Sequence, residues 1–301
     1  MTGAIRHGAA GRLWRTTVIT LPYAWLLLFF LVPFAIVFKI SFADPIVAQP
    51  PFTPFFDWAE SSPRRLLATF DNYLFLLEDK LYWVSYLRSI RIAFISTLLC
   101  LLLGYPMAYG IARARPPWRS LLLMLVILPF WTSFLLRVYA WIVMLGKHGV
   151  VNNALLSVGF IDGPLQMLYT DAAVYLGIVY TYIPFMILPL YASLEKLDQN
   201  LHDAAMDLGA TPWKVFTDIT LPLSMPGVIA GSLLVFIPAL GEFVIPSLLG
   251  GIDSLMIGRT LYDEFFVNRD WPLASAVATV LLFILILPIM LFQRYQQGEE
   301  S

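Results

Sequence analysis

The stretch Asp203-Ala204-Ala205-Met206-Asp207-Leu208-Gly209, followed after nine residues by Ile219-Thr220-Leu221-Pro222, is a polar, glycine-broken insert in a chain otherwise built for lipid. Asn200 can cap a short helix, and Asp203 then falls in its first turn, where a carboxylate complements the positive end of the helix dipole. Ala204 and Ala205 keep one face slim enough to enter a groove, and Gly209 ends the helix. Thr211-Pro212 caps and opens a second short helix. Its Trp213, Val215, Phe216 and Ile219 present apolar surface before Leu221-Pro222 returns the chain to the membrane. Such a loop is suited to docking on a soluble partner.

The surroundings of the loop set the class of molecule. Of the 301 residues, 59% are hydrophobic and only 13% charged, far more apolar than a soluble domain of this length requires. The net charge of -1 argues against a nucleic-acid partner, which would call for a basic surface. The lone Cys100 can form no internal disulfide and lies in an apolar run. His7, His148 and His202 are scattered, so no metal-ligand cluster is apparent.

The first apolar run, from about Ile19 to Ile40, follows Arg6, Arg12 and Arg15 but is too long for a cleaved leader, and no Ala-x-Ala-like site follows it. It reads as a retained span. Five further runs at about 90–112, 120–146, 172–194, 225–248 and 272–293 predict an all-α polytopic protein of six transmembrane helices, with both termini on one side. In the tight loop Arg113-Ala-Arg-Pro-Pro-Trp-Arg119, three arginines crowd a turn too short to be translocated as a domain. The loop thus places itself and both termini in the cytoplasm. The expected layout is an amino-terminal segment 1–18, a membrane domain 19–293 and a cytoplasmic tail 294–301. Within the domain, the long outer loop 42–89 carries Pro45, Pro50, Pro51, Pro54 and Pro63, and the inner loop spans 195–224. Most acidic residues fall on outer segments, a sign that suits a cationic solute.

The 203–222 pattern resembles the EAA loop of binding-protein-dependent ATP-binding-cassette importer permeases, whose spacing it matches throughout; Asp203 stands where that family usually has Glu. The resemblance implies a type I (MetI-like) permease fold with a cytoplasmic coupling helix. It also implies that Asp203, Ala204, Ala205, Gly209, Trp213, Leu221 and Pro222 couple the chain to an ATPase. No Gly-x-x-x-x-Gly-Lys-Ser/Thr cradle exists in the sequence, and Gly146-Lys147-His148 falls short of one. Hydrolysis, with ATP and Mg, therefore belongs to a separate cytoplasmic ATPase dimer, and this chain needs no cofactor, metal or catalytic residue of its own. The further partners implied are a homologous second permease and a periplasmic substrate-binding protein, in a bacterial inner membrane.

Gly241-Glu-Phe-Val-Ile-Pro246, Leu248-Leu-Gly-Gly251, Asp253-Ser-Leu-Met-Ile-Gly-Arg259, Asn268-Arg-Asp-Trp-Pro272 and Leu128-Pro-Phe-Trp-Thr-Ser-Phe-Leu-Leu-Arg-Val-Tyr-Ala-Trp141 are similar to polyamine permeases, most of all to the putrescine type. That implies a translocation path for polyamines. Within it, Glu242 is the expected charged residue, since a carboxylate in a span must face a cavity or a partner charge. Pro238, Gly241 and Pro246 should interrupt the helix around it. Tyr139, Trp141, Tyr180, Tyr182 and Phe243 are candidates for cation–π contacts with a solute. The alternative role for Glu242 is a structural ion pair with Arg137. Gly227-Val-Ile-Ala-Gly231 has the small-x-x-x-small spacing of close helix packing. Two rival functions remain at this point: import of another small solute by the same architecture, and a secondary transporter in which Glu242 carries a proton.

Overall fold

The computed structural model describes residues 9–54, 68–251 and 254–299; Arg6, Pro63 and Asp253 lie outside them. Among the described residues every regular element is helical, apart from an isolated bridge between Pro45 and Phe52. In chain order these are α1 (Ala9–Leu26), a π-helical turn Leu27–Leu31, α2 (Val32–Ile40), α3 (Asp71–Glu78), α4 (Lys80–Arg113) and α5 (Pro116–Ile127). After the 3₁₀ turn Leu128–Trp131 come α6 (Phe134–Leu145), α7 (Val150–Ser157), α8 (Asp171–Leu194), α9 (Gln199–Asp207) and α10 (Pro212–Val215). A π-helical turn Phe216–Thr220 then leads to α11 (Leu221–Leu223), α12 (Met225–Leu240), α13 (Val244–Leu249) and α14 (Ile257–Tyr262). A last π-helical turn, Asp263–Val267, precedes α15 (Trp271–Glu299).

Five helical stretches among the described residues are long and apolar enough to cross a membrane: Thr17–Ile40, Lys80–Arg113, Phe134–Ser157, Asp171–Leu194 and Trp271–Met290. The pair Pro212–Leu223 and Met225–Leu240, bent by 63°, makes a sixth if it counts as one span. The expected span 225–248 is divided, α12 ending at Leu240, and two other spans differ from the hydropathy reading. Helix α4 starts at Lys80 rather than near 90, because the Asp79 carboxylate caps it, accepting from the Leu81 amide at 2.8 Å. Its 34 residues reach about 50 Å at ~1.5 Å per residue, well beyond a ~30 Å hydrocarbon core. The apolar run marks where lipid begins, not where the helix does. The expected single span 120–146 is instead broken: Pro129 lacks an amide to continue the ladder, Thr132 folds its hydroxyl back onto the Pro129 carbonyl at 2.7 Å, and Thr132 and Ser133 are extended (ψ 148° and 134°).

The chain packs as two compact units. In one, comprising Met1–Glu78 and Glu264–Leu281, the corner between α2 and α3 is held by Asn72, whose amide donates to the Ser41 and Ala43 carbonyls at 3.0 and 2.8 Å. Phe42 packs its ring against Phe38, Phe70 and Tyr73 at that corner.

In the other, comprising Asp79–Asp263 and Leu282–Ser301, α4, α8 and α12 pack on one another around Cys100, Ala108, Met186, Ile187, Leu190 and Val235. The glycines of the small-x-x-x-small segment permit that contact. A methyl on Gly227 would stand 2.6 Å from Ser193 Cβ, and one on Gly231 would stand 2.9 Å from Met186 Sδ, so α12 reaches α8 almost backbone to backbone.

Candidate functional site

Two interruptions of the helical run from Gln199 to Leu249 carry the residues singled out from sequence. The first is the 195–224 loop. Helix α9 is capped by Asp198, whose carboxylate accepts from the Asn200 amide at 3.0 Å. The cap is therefore not Asn200, which sits inside the first turn and donates its side-chain amide back to Asp198 at 3.3 Å. A carboxylate accepts the orphan amides better than an amide group, and starting the helix at Gln199 moves Asp203 out of the first turn into the second.

The helix ends as the sequence predicts. Gly209 has φ +83°, its amide donates to the Met206 carbonyl at 2.9 Å, and the Ala210 amide donates to Ala205 at 3.0 Å. This is the paired closure of a Schellman motif, which needs a left-handed residue at that point. Thr211 caps the next turn, its hydroxyl accepting from the Lys214 amide at 3.4 Å, with Pro212 at the first helical position.

Burial divides the loop into two sides. Asp203, Ala204 and Pro222 are exposed, Ala205 and Leu221 half-buried. Leu208 and Trp213 are 89% and 73% exposed, and Met206 is exposed beside them, so the loop offers bare apolar side chains away from its own bundle. On the inner side, His202 is buried. Its Nε2 lies 2.8 Å from Thr220 Oγ1 and 2.9 Å from Arg113 Nη2. Sequence reading passed over this histidine as scattered. The signal that could have found it is the run Tyr105, Tyr109, Arg113 at four-residue spacing, a polar stripe on the last turns of an otherwise apolar helix.

The second interruption lies at Gly241–Phe243. Helix α12 stops at Leu240, α13 starts at Val244, and Glu242 is buried between them, only 8% exposed. Pro238 and Pro246 stay within the two helices, so glycine rather than proline marks the break. The carboxylate is satisfied from within the chain. Glu242 Oε2 accepts from Tyr182 Oη at 2.6 Å, and Oε1 accepts from the Val244 and Ile245 amides at 3.0 and 3.4 Å. It thus neutralises two orphan donors at the start of α13, as a capping residue does. A carboxylate has about four lone-pair directions, so roughly one is left for a further donor.

The supposed ion pair with Arg137 does not form. That guanidinium lies over the rings of Phe130 and Phe134, at 5.5 and 5.9 Å, and its Nε and Nη1 are buried without a hydrogen-bond partner. A run of ring contacts through Phe130, Phe185 and Tyr182 separates it from the carboxylate.

The aromatic candidates divide as well. Tyr180 and Tyr182 are two residues apart on α8 and so face different ways. Tyr180 meets Trp141 edge to face at 5.4 Å, while Tyr182 serves Glu242. Phe243 stacks on Tyr262 at 5.0 Å, and Tyr139 is exposed on α6. Of the five, only Tyr182 hydrogen-bonds the carboxylate. Among the described residues no group of three His, Cys, Asp or Glu side chains is placed to hold a metal ion.

Comparison with known proteins gives the family and the fold. Residues 100–298 match the family of binding-protein-dependent transport system inner membrane components. The spermidine/putrescine transport system permease protein PotB of Haemophilus influenzae is 40% identical over 276 residues, covering 92% of each chain. In fold, the chain is similar to one in a bacterial alginate ABC transporter solved with an alginate pentasaccharide-bound periplasmic protein (TM-score 0.66, 20% identity, covering 95% of each chain). It is also similar to one in the inward-facing MetNI methionine ABC transporter (TM-score 0.53, 16% identity, 71% of this chain and 94% of that one). With the loop, the bent span and these matches in hand, the chain belongs to the binding-protein-dependent inner membrane components: it is a multi-pass, MetI-like ABC importer permease.

Proposed function

We propose that this chain is one of two membrane subunits of an ATP-driven polyamine importer, with putrescine as its principal cargo and spermidine as the alternative. The observation that carries the reading is the 40% identity, over nearly the whole chain, to a permease named for spermidine and putrescine transport. A buried carboxylate at a helix break, with about one lone-pair direction still open, is a second support, since that site suits an ammonium group.

In this reading the loop 195–224 faces the cytoplasm, as do both termini. Its exposed Leu208, Trp213 and Met206, with Asp203, Ala204, Ala205 and Gly209, seat in a cleft of a partner ATPase that binds the ATP and Mg. Leu221 and Pro222 lead the stroke into the bent span. The remaining partners are a homologous second permease and a periplasmic binding protein, which sets most of the specificity. Closure of the ATPase dimer rocks the two bundles between inward-open and outward-open states, and the chain itself performs no covalent chemistry.

Glu242 then supplies charge complementarity along the path, Tyr182 orients its carboxylate, and Trp141, Tyr180, Tyr139 and Phe243 offer ring faces to a passing cation. Uptake of labelled putrescine by the reconstituted complex, competed with spermidine and with uncharged solutes, tests the reading. Competition by polyamines alone supports it. Accumulation by this chain in vesicles without an ATPase would overturn it in favour of a secondary transporter. Glu242→Gln should lower cation uptake while the ATPase stays bound; unchanged kinetics would take the carboxylate out of the path.

A further inference from the structure

We infer that Tyr105, Tyr109 and Arg113 on the last turns of α4 form the seat through which the 195–224 loop moves the membrane bundle, with His202 as the residue that positions the loop on it. The inference rests on the coupling role proposed above and names the joint that carries the stroke.

Residues four apart on a helix share a face, and this face of α4 meets the loop at Tyr105 and at Arg113. Tyr105 Oη lies 2.8 Å from Ser224 Oγ, at the bend that precedes α12, and its ring meets Phe216 edge to face at 5.6 Å. The Arg113 guanidinium lies over the Tyr109 ring at 5.3 Å and reaches His202 Nε2 at 2.9 Å. The same nitrogen is 2.8 Å from Thr220 Oγ1. Arginine can only donate, so the imidazole is the acceptor in this contact.

His202 is turned inward while its neighbours Leu201 and Asp203 are exposed, so α9 commits one polar side chain to the bundle and leaves the rest to the outside. The joint thereby ties two elements of the loop, helix α9 and the turn Phe216–Thr220, to the end of α4, 89 positions before His202. The consequence is mechanical. Chain continuity alone would pass a displacement of α9 through Thr211 and Pro212 into the bent span Pro212–Leu240. The contact between His202 and Arg113 passes it to α4 as well, and α4 packs on both α8 and α12. A cavity of about 290 Å³ lined by Tyr109, Arg113, His202, Asp203, Phe216 and Thr220 adjoins the joint. The loop is held on α4 by apolar packing of Phe216 and Leu221 on the core around Tyr105 and Ala108, with the polar contacts at His202 and Ser224 fixing its position.

The test uses the whole complex, purified with its co-expressed ATPase and second permease and reconstituted with its binding protein. Labelled putrescine or spermidine accumulated is measured against phosphate released. His202→Leu should lower the solute moved per ATP about tenfold, the order expected for losing a bond to a charged donor, with all subunits still co-purifying. His202→Gln, whose amide oxygen can still accept from Arg113, should recover most of that ratio. A wild-type ratio in His202→Leu overturns the inference, as does a His202→Gln variant no better than His202→Leu. If His202→Leu does not assemble, Thr220→Val and Tyr105→Phe each remove one hydroxyl from the joint; a wild-type ratio in both overturns it equally. A wild-type complex that hydrolyses ATP yet moves neither polyamine would defeat the proposed cargo instead. The joint would then still be read from binding-protein-stimulated hydrolysis, which His202→Leu should disconnect from the binding protein.

Discussion

Two of the breaks in the run from Gln199 to Leu249, at Gly209 and at Gly241, solve opposite problems. At Gly209 the chain turns in open space, with nothing within 4 Å of where a side chain would begin and with exposed Leu208 and Trp213 on either side. At Gly241–Phe243 the glycine also meets nothing within 4 Å and Phe243 is exposed, but Glu242 between them is turned inward, and most of its hydrogen-bonding capacity is taken by Tyr182 and two backbone amides. An exposed break can leave its apolar surface for a partner because water tolerates the backbone. A break that turns a carboxylate inward must first satisfy it, and only the remaining lone-pair direction is open to a further donor.

The sharpest way to break this contrast is Glu242→Ala. It strands the Tyr182 hydroxyl and the Val244 and Ile245 amides, each worth about 1–3 kcal/mol when buried and unpaired, so a loss of about 3 kcal/mol or more is expected in thermal unfolding in detergent. Tyr182→Phe removes one charge-assisted donor and should cost about 2 kcal/mol by the same measurement. A variant as stable as the parent would mean that the tyrosine does not hold the carboxylate. On the exposed side, Gly209→Ala meets no clash but must hold φ +83°, a cost of about 1–2 kcal/mol. It should appear as weaker ATPase association more than as unfolding. Trp213→Ala sharpens the comparison furthest: stability should be almost unchanged, while the ATPase elutes separately on size exclusion.

The smallest effect is expected outside both breaks, at Asp270. Burial, with Glu264 nearby, raises its carboxyl above the usual range against the opposing pull of the Leu273 amide. A raised acid favours the protonated fold, and that stability is lost as pH rises through the folded value. Asp270→Asn should therefore melt slightly higher than the parent near pH 7 and equal to it at pH 3.

The loop was legible in the sequence because its geometry is local. A left-handed turn wants glycine, a first helical position tolerates proline, and both show as spacing. Its cap was misplaced by two residues because Asp198 and Asn200 are both competent and only the competition between them decides. The site at Glu242 was legible as a break and as a buried charge, but not as to its partner. Arg137 was the most plausible cation for a linear reading, whereas the acceptor's real donors are a tyrosine 60 positions away and two amides created by the break itself. The broken span at Thr132 escaped because hydropathy is blind to whether an apolar run keeps its hydrogen bonds. His202 escaped because α9 already carries Gln199, Asn200, Asp203 and Asp207, so one more polar side chain makes no pattern; its meaning lies on α4.

One consequence of the turn at Gly209 concerns chirality. Since the space around it is empty, the position excludes side chains by their handedness and not by their bulk. A mirror-image alanine introduced there by chemical ligation should be accepted where the natural one is strained, and a permease carrying it would have a stiffer turn than the parent with the same shape.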